Sequence, residues 1–178
     1  MDKTSAIYAT AIFELAVTQG YEDLWRDQIE SLNAAWLASP EILRFFARTQ
    51  ISKTEKKELL KQSLTKIEPM LVNTLCLLVD KDRMSSFPDI AKDFRQLYNA
   101  KHNINEGTVY SVRPLDEKEI ETLNREFSKR NQQIVRFENR IDPTLISGIK
   151  ILLDNKIMDG SMKARISNLR TELIKGSR

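Results

Sequence analysis

The sequence predicts a mainly α protein: a six-helix bundle over residues 1–105, followed by a small α+β domain over 106–178. Three observations carry this expectation. Apolar residues recur at helical spacing up to about residue 102, the period falls to two after Gly107, and Pro or Gly stands where the helical runs begin or end. At 178 residues the chain is long enough to bury a core without covalent staples.

The first helix is expected to start after Thr4 or Ser5 and to stop at Gly20. Its polar positions Thr10, Glu14 and Thr18 form one narrow stripe at i, i+4 and i+8, and the remaining positions are almost all apolar. A helix so apolar is buried on several sides in a soluble protein, either at the centre of a bundle or beneath an amphipathic partner helix. The second helix carries Trp25, Ile29, Leu32 and Trp36 on one face. Ser39-Pro40 then reads as a cap and first turn for a short third helix with Ile42, Leu43, Phe45 and Phe46. Ser52-Lys53-Thr54-Glu55 is a capping box for the fourth, which presents Leu59, Leu60, Leu64 and Ile67. Pro69 opens the fifth, with Leu71, Val72, Leu75, Leu78 and Val79. Pro88 opens the sixth, with Ile90, Phe94, Leu97 and Tyr98.

Beyond Gly107, Thr108–Val112 reads as a strand, Asp116–Arg130 as a helix with Ile120, Leu123 and Phe127 inward, and Ile134–Ile141 as a second strand. Ile149, Ile151 and Leu153 alternate with polar neighbours, and Asp154-Asn155 turns the chain into a return strand, Lys156–Met158. A final helix from Ser161 presents Met162, Ile166, Leu169 and Leu173.

The chemistry available is meagre. Cys76 is the single cysteine and His102 the single histidine, which removes disulfides, Cys-based zinc sites and His-pair metal motifs. His102 lies in a polar stretch expected to be a solvated connector. No Gly-rich phosphate loop occurs, and Asp142 and Asp154 sit at turns, where a carboxylate usually bonds its own backbone. Neither catalysis nor a cofactor is expected.

Net charge is +3, residues 1–105 being balanced at 14 basic and 14 acidic, so the excess lies in the second half. Lys53, Lys56, Lys57 and Lys61 alternate with Glu55 and Glu58 and read as a solvated helix face rather than a nucleic-acid stripe. A salt-sensitive nucleic-acid binder or another helical adaptor is the alternative function, and the sequence does not favour nucleic acid. The longest strongly apolar run, Leu75–Val79, falls far short of the ~20 residues that span a bilayer. Glu14 and the lack of a basic leader argue against a signal peptide, so a cytoplasmic location is expected.

Several segments carry a resemblance. They are Tyr8-Ala9-Thr10-Ala11-Ile12-Phe13-Glu14-Leu15-Ala16, then Asp82-Arg83 with Phe87-Pro88-Asp89-Ile90 and Phe94, then Val109-Tyr110-Ser111 with Pro114-Leu115. Ile141-Asp142-Pro143-Thr144-Leu145-Ile146-Ser147-Gly148 and Ile157-Met158-Asp159-Gly160-Ser161 with Arg165-Ile166 complete the set. In order and spacing these resemble the delta subunits of bacterial F-type ATP synthases, a family similar to the mitochondrial oligomycin sensitivity-conferring protein. Ser147 and Val112 depart from the pattern, where many relatives have a glycine and an alanine.

The resemblance implies a non-catalytic stator subunit of a proton-translocating synthase, held at the cytoplasmic face of the cell membrane only through its complex. It implies a groove between the first and fifth helices that receives the N-terminal helix of an alpha subunit. On matching positions that groove involves Tyr8, Ala11, Ile12, Leu15, Leu75, Leu78 and Val79, with Trp25 nearby. Contact with the b subunits is expected around Gly148, Ile149 and Ile151 and along Met162, Ile166 and Leu169.

Overall fold

The computed structural model describes residues 3–145 and 147–160. In order the elements are α1 (Lys3–Gln19), α2 (Glu22–Ala38), α3 (Pro40–Ala47), α4 (Lys53–Ser63), α5 (Pro69–Asp80), a 3₁₀ turn (Met84–Ser86) and α6 (Phe87–Lys101). They continue as β1 (Ile104–Ser111), α7 (Glu117–Asn131), β2 (Ile134–Ile141), β3 (Ile149–Leu153) and β4 (Lys156–Asp159). The chain divides between Tyr98 and Asn99, in the last turns of α6, into two compact units. The expected helix from Ser161 lies outside the described residues.

In the first unit α1 to α6 all contribute to one apolar core. Trp25 is completely buried, and Trp36 packs on Phe87 with ring centroids 4.5 Å apart. Phe13 of α1 meets Phe94 of α6 edge-on at 5.5 Å. The capping box of α4 forms as expected: Ser52 Oγ accepts from the Glu55 N–H, and Glu55 Oε2 accepts from the Ser52 N–H. Ser39 precedes α3 without a side-chain cap bond, contrary to expectation, so Pro40 alone pre-sets that first turn. A cap the sequence reading missed is Glu68. Its Oε2 accepts from the Leu71 N–H at 2.9 Å and from Trp25 Nε1 at 3.2 Å, and its own N–H donates to Gln28 Oε1 at 3.1 Å. The start of α5 is thereby tied to α2.

Lys56 departs from the solvated-face reading of its cluster, in which Lys53, Glu55, Glu58 and Lys61 are exposed as expected. It is 4% exposed, and its ammonium donates to the carbonyls of Phe46 (2.7 Å) and Arg48 (2.6 Å) at the end of α3. Helix carbonyls without intrahelical partners and the negative end of the helix dipole both favour a cation there.

In the second unit the sheet order is β2-β1-β3-β4. β1 pairs in parallel with β2 from Ile104↔Ile134 to Ser111↔Ile141 and antiparallel with β3; the β3–β4 hairpin closes through Asp154 and Asn155 at φ 51° and 59°. α7 covers one face, with Leu123 and Phe127 against buried Val109, Val135, Phe137, Ile151 and Leu153. Its N-terminus is held by a capping box between Asp116 and Glu119. β2 is an edge strand, yet its Val135 and Phe137 N–H groups donate to Ser128 Oγ and Asn124 Oδ1 of α7, each at 2.8 Å.

The first strand differs from expectation, beginning at Ile104 and ending at Ser111 rather than spanning Thr108–Val112. Its polar start, Asn105-Glu106-Gly107, has no apolar alternation; pairing with β2 extends it. His102 is half-buried in the turn before it, not in a solvated loop. Asp142 does bond locally, accepting from the Thr144 N–H at 2.9 Å. Asp154 instead accepts from Asn105 Nδ2 at 2.7 Å.

Candidate partner-docking surface

Ser5, Ala9, Ile12 and Ala16 of α1 are buried, and their spacing of four, three and four defines the inward stripe. Tyr8, Phe13 and Leu15 pack partly buried at its margins. The opposite face carries Ile7, 69% exposed, with exposed Thr10, Ala11, Glu14, Val17 and Thr18. Ala6, Ile7, Thr10, Ala11 and Glu14 line a shallow depression of ≈ 370 Å³. Both threonine hydroxyls are engaged within the helix: Thr10 Oγ1 donates to Ala6 O and Thr18 Oγ1 to Glu14 O, each at 2.8 Å. The stripe that reads as polar is therefore largely aliphatic, with one carboxylate in it.

On α5 the buried stripe is Leu71, Val72, Leu75, Cys76, Leu78 and Val79, and the exposed one is Asn73, Leu77 and Asp80. Burial pushes the Cys76 thiol up from its ordinary value, so it is not an activated nucleophile. Of the groove residues named from the resemblance on α1, α2 and α5, only Ala11 is at the surface, with Tyr8 and Leu15 half-buried. Ile12, Trp25, Leu75, Leu78 and Val79 are core residues that form the wall behind the exposed faces. Ile7 and Leu77, 69% and 47% exposed, are the large apolar side chains the sequence reading passed over.

In the second unit Gly148 is exposed at φ 88°, Ile149 is half-buried and Ile151 lies in the core beneath α7. Leu115, Lys118, Thr122, Leu123 and Ile149 border an open groove of ≈ 430 Å³. Met162, Ile166 and Leu169 lie outside the described residues. Among the described residues no three His, Cys, Asp or Glu side chains are grouped to hold a metal ion, and no helix is long and apolar enough to cross a membrane.

Residues 5–173 match the family described as ATP synthase delta (OSCP) subunit. The chain belongs to that family. It is 33% identical over 173 residues to the ATP synthase subunit delta of Halalkalibacterium halodurans, covering 96% of this chain and 94% of the relative. With the corresponding protein of Bacillus cytotoxicus it shares 31% over 169 residues, 94% of each. A chain in the cryo-EM structure of the Toxoplasma gondii mitochondrial ATP synthase hexamer has the same fold, with a TM-score of 0.71 at 18% identity, over 96% of this chain and 97% of that one. The delta (OSCP) subunit is a structural rather than a catalytic part of ATP synthase, with a role in the peripheral stalk. It is peripheral to the complex.

Proposed function

We propose that this chain joins the alpha/beta catalytic head of its synthase to the b subunits and keeps the head from turning with the rotor. In this reading residues 1–105 act as a six-helix bundle that receives the N-terminal helix of an alpha subunit across α1 and α5. Residues 106–178 meet the b subunits, and the assembly sits at the cytoplasmic face of the cell membrane. The observation that carries it is the outward face of α1, where Ile7, Ala11 and Val17 stand in water on a helix otherwise committed to the core. Apolar area removed from water contributes roughly 25 cal/mol per Å², part of which offsets the ordering of both partners. Two attachments in one complex raise each other's effective concentration, so a link of two moderate contacts withstands torque without any chemistry.

The test is calorimetric titration of the full chain with a synthetic peptide of the alpha subunit's N-terminal segment. Ala11→Asp puts a charge into the centre of the exposed α1 face and is expected to weaken capture at least tenfold, with an unchanged far-UV circular dichroism spectrum. Unchanged affinity in a folded variant refutes α1 as the docking face.

A further inference from the structure

Resting on the docking reading above, we infer that Glu14 selects the incoming helix by pairing with a lysine or arginine on its apolar face. Glu14 is the one charged side chain between Thr4 and Gln19. It is exposed, and its carboxylate makes no ion pair among the described residues. Its own helix offers no cation within reach, since the neighbours three and four positions away are Ala11, Val17, Thr10 and Thr18. The two threonines spend their hydroxyl hydrogens on carbonyls of α1, at 2.8 Å each, so they have none to offer the carboxylate.

A partner helix lying over Ile7 and Ala11 strips water from a carboxylate without an ion pair among the described residues. An uncompensated charge there costs heavily, whereas a cation that meets it recovers the loss and fixes the register of the two helices. The same charge repels an acidic face and penalises a purely aliphatic one, so it discriminates among amphipathic helices that the surrounding surface alone would accept. The occupant is therefore an amphipathic helix of aliphatic and small residues with a basic side chain one or two turns from its central contact.

The probe is the synthetic alpha-subunit N-terminal peptide, titrated calorimetrically into the wild-type chain, Glu14→Gln, Glu14→Lys and Ala11→Asp at low salt and at about 0.5 M salt. Glutamine is a comparable helix former, and circular dichroism checks that each variant is folded. Glu14→Gln is expected to weaken binding about fivefold at low salt, and Glu14→Lys more, with the gap closing at high salt. Changing the peptide's basic residues one at a time to glutamine reproduces the loss at a single position, where Glu14→Gln then adds nothing. If Glu14→Gln binds like wild type while Ala11→Asp does not, the docking face stands and the charge pairing is refuted. If Ala11→Asp also binds like wild type, or the peptide does not bind at all, the docking reading itself fails.

Discussion

Gly107 lies in the middle of β1, where a Cβ would stand 2.5 Å from Cε1 and 2.7 Å from Cδ1 of Phe137 and 2.9 Å from the Leu152 carbonyl oxygen. Ordinary carbon–carbon contact is about 3.5–4 Å, so Gly107→Ala obliges the ring to retreat by about 1 Å. That ring has little room: Phe137 is 7% exposed and is held edge-on against Phe127 at 5.1 Å. The Leu152 carbonyl is fixed too, because β3 is paired with β1 at Thr108↔Leu152. Overpacking of this kind costs about 1–3 kcal/mol, and the lower entropy of an unfolded alanine returns a few tenths. A net loss of about 2 kcal/mol raises opening of the second unit roughly thirtyfold. Amide hydrogen exchange of the β1 and β3 core is the assay, since Trp25 and Trp36 both lie in the first unit and their fluorescence follows that unit. Phe137→Leu provides the cross-check, because shortening the ring makes the two substitutions less than additive. Unchanged exchange in Gly107→Ala, or strict additivity in the double variant, refutes the close-packing argument.

Two further outcomes are expected. Lys56→Met keeps the length of the side chain but removes the donor to Phe46 O and Arg48 O. It should cost about 1–3 kcal/mol in urea unfolding followed by tryptophan fluorescence, and an unmoved midpoint contradicts the role given to the buried ammonium. Glu119 is held below its ordinary value first by hydrogen bonds from Arg113, at 2.7 and 2.9 Å, and then by the backbone at Asp116. A lowered folded value means that its contribution is present at neutral pH and disappears as pH falls through the acid range. Arg113→Ala is thus expected to flatten the acid dependence of second-unit stability, and equal slopes in exchange measured at neutral and acid pH rule this out.

Helix starts were legible because they are written in local chemistry: Ser52 with Glu55, and Pro40 and Pro69, each open a helix where the sequence places it. The Asp154-Asn155 turn was equally plain. What escaped was whatever depends on a distant neighbour. β1 takes its first residues from pairing with β2, Lys56 is drawn inward by carbonyls eight and ten residues earlier, and Glu68 caps α5 while binding Trp25 of α2. The candidate surface was only half legible for the same reason. A helix apolar nearly all round has no dominant side, so Ile7 and Ile12 look alike in sequence. Packing of the other helices leaves one 69% exposed and buries the other to 5%.

The hydroxyl of Ser128 and the amide of Asn124 occupy the outer N–H groups of Val135 and Phe137, so the first half of that border of the sheet is answered from within. A sister molecule finds these two donors already taken, which blunts strand addition over the first half of the edge. A partner that grips β2 near Val135 and Phe137 must therefore read side chains there rather than lend those two amides an acceptor.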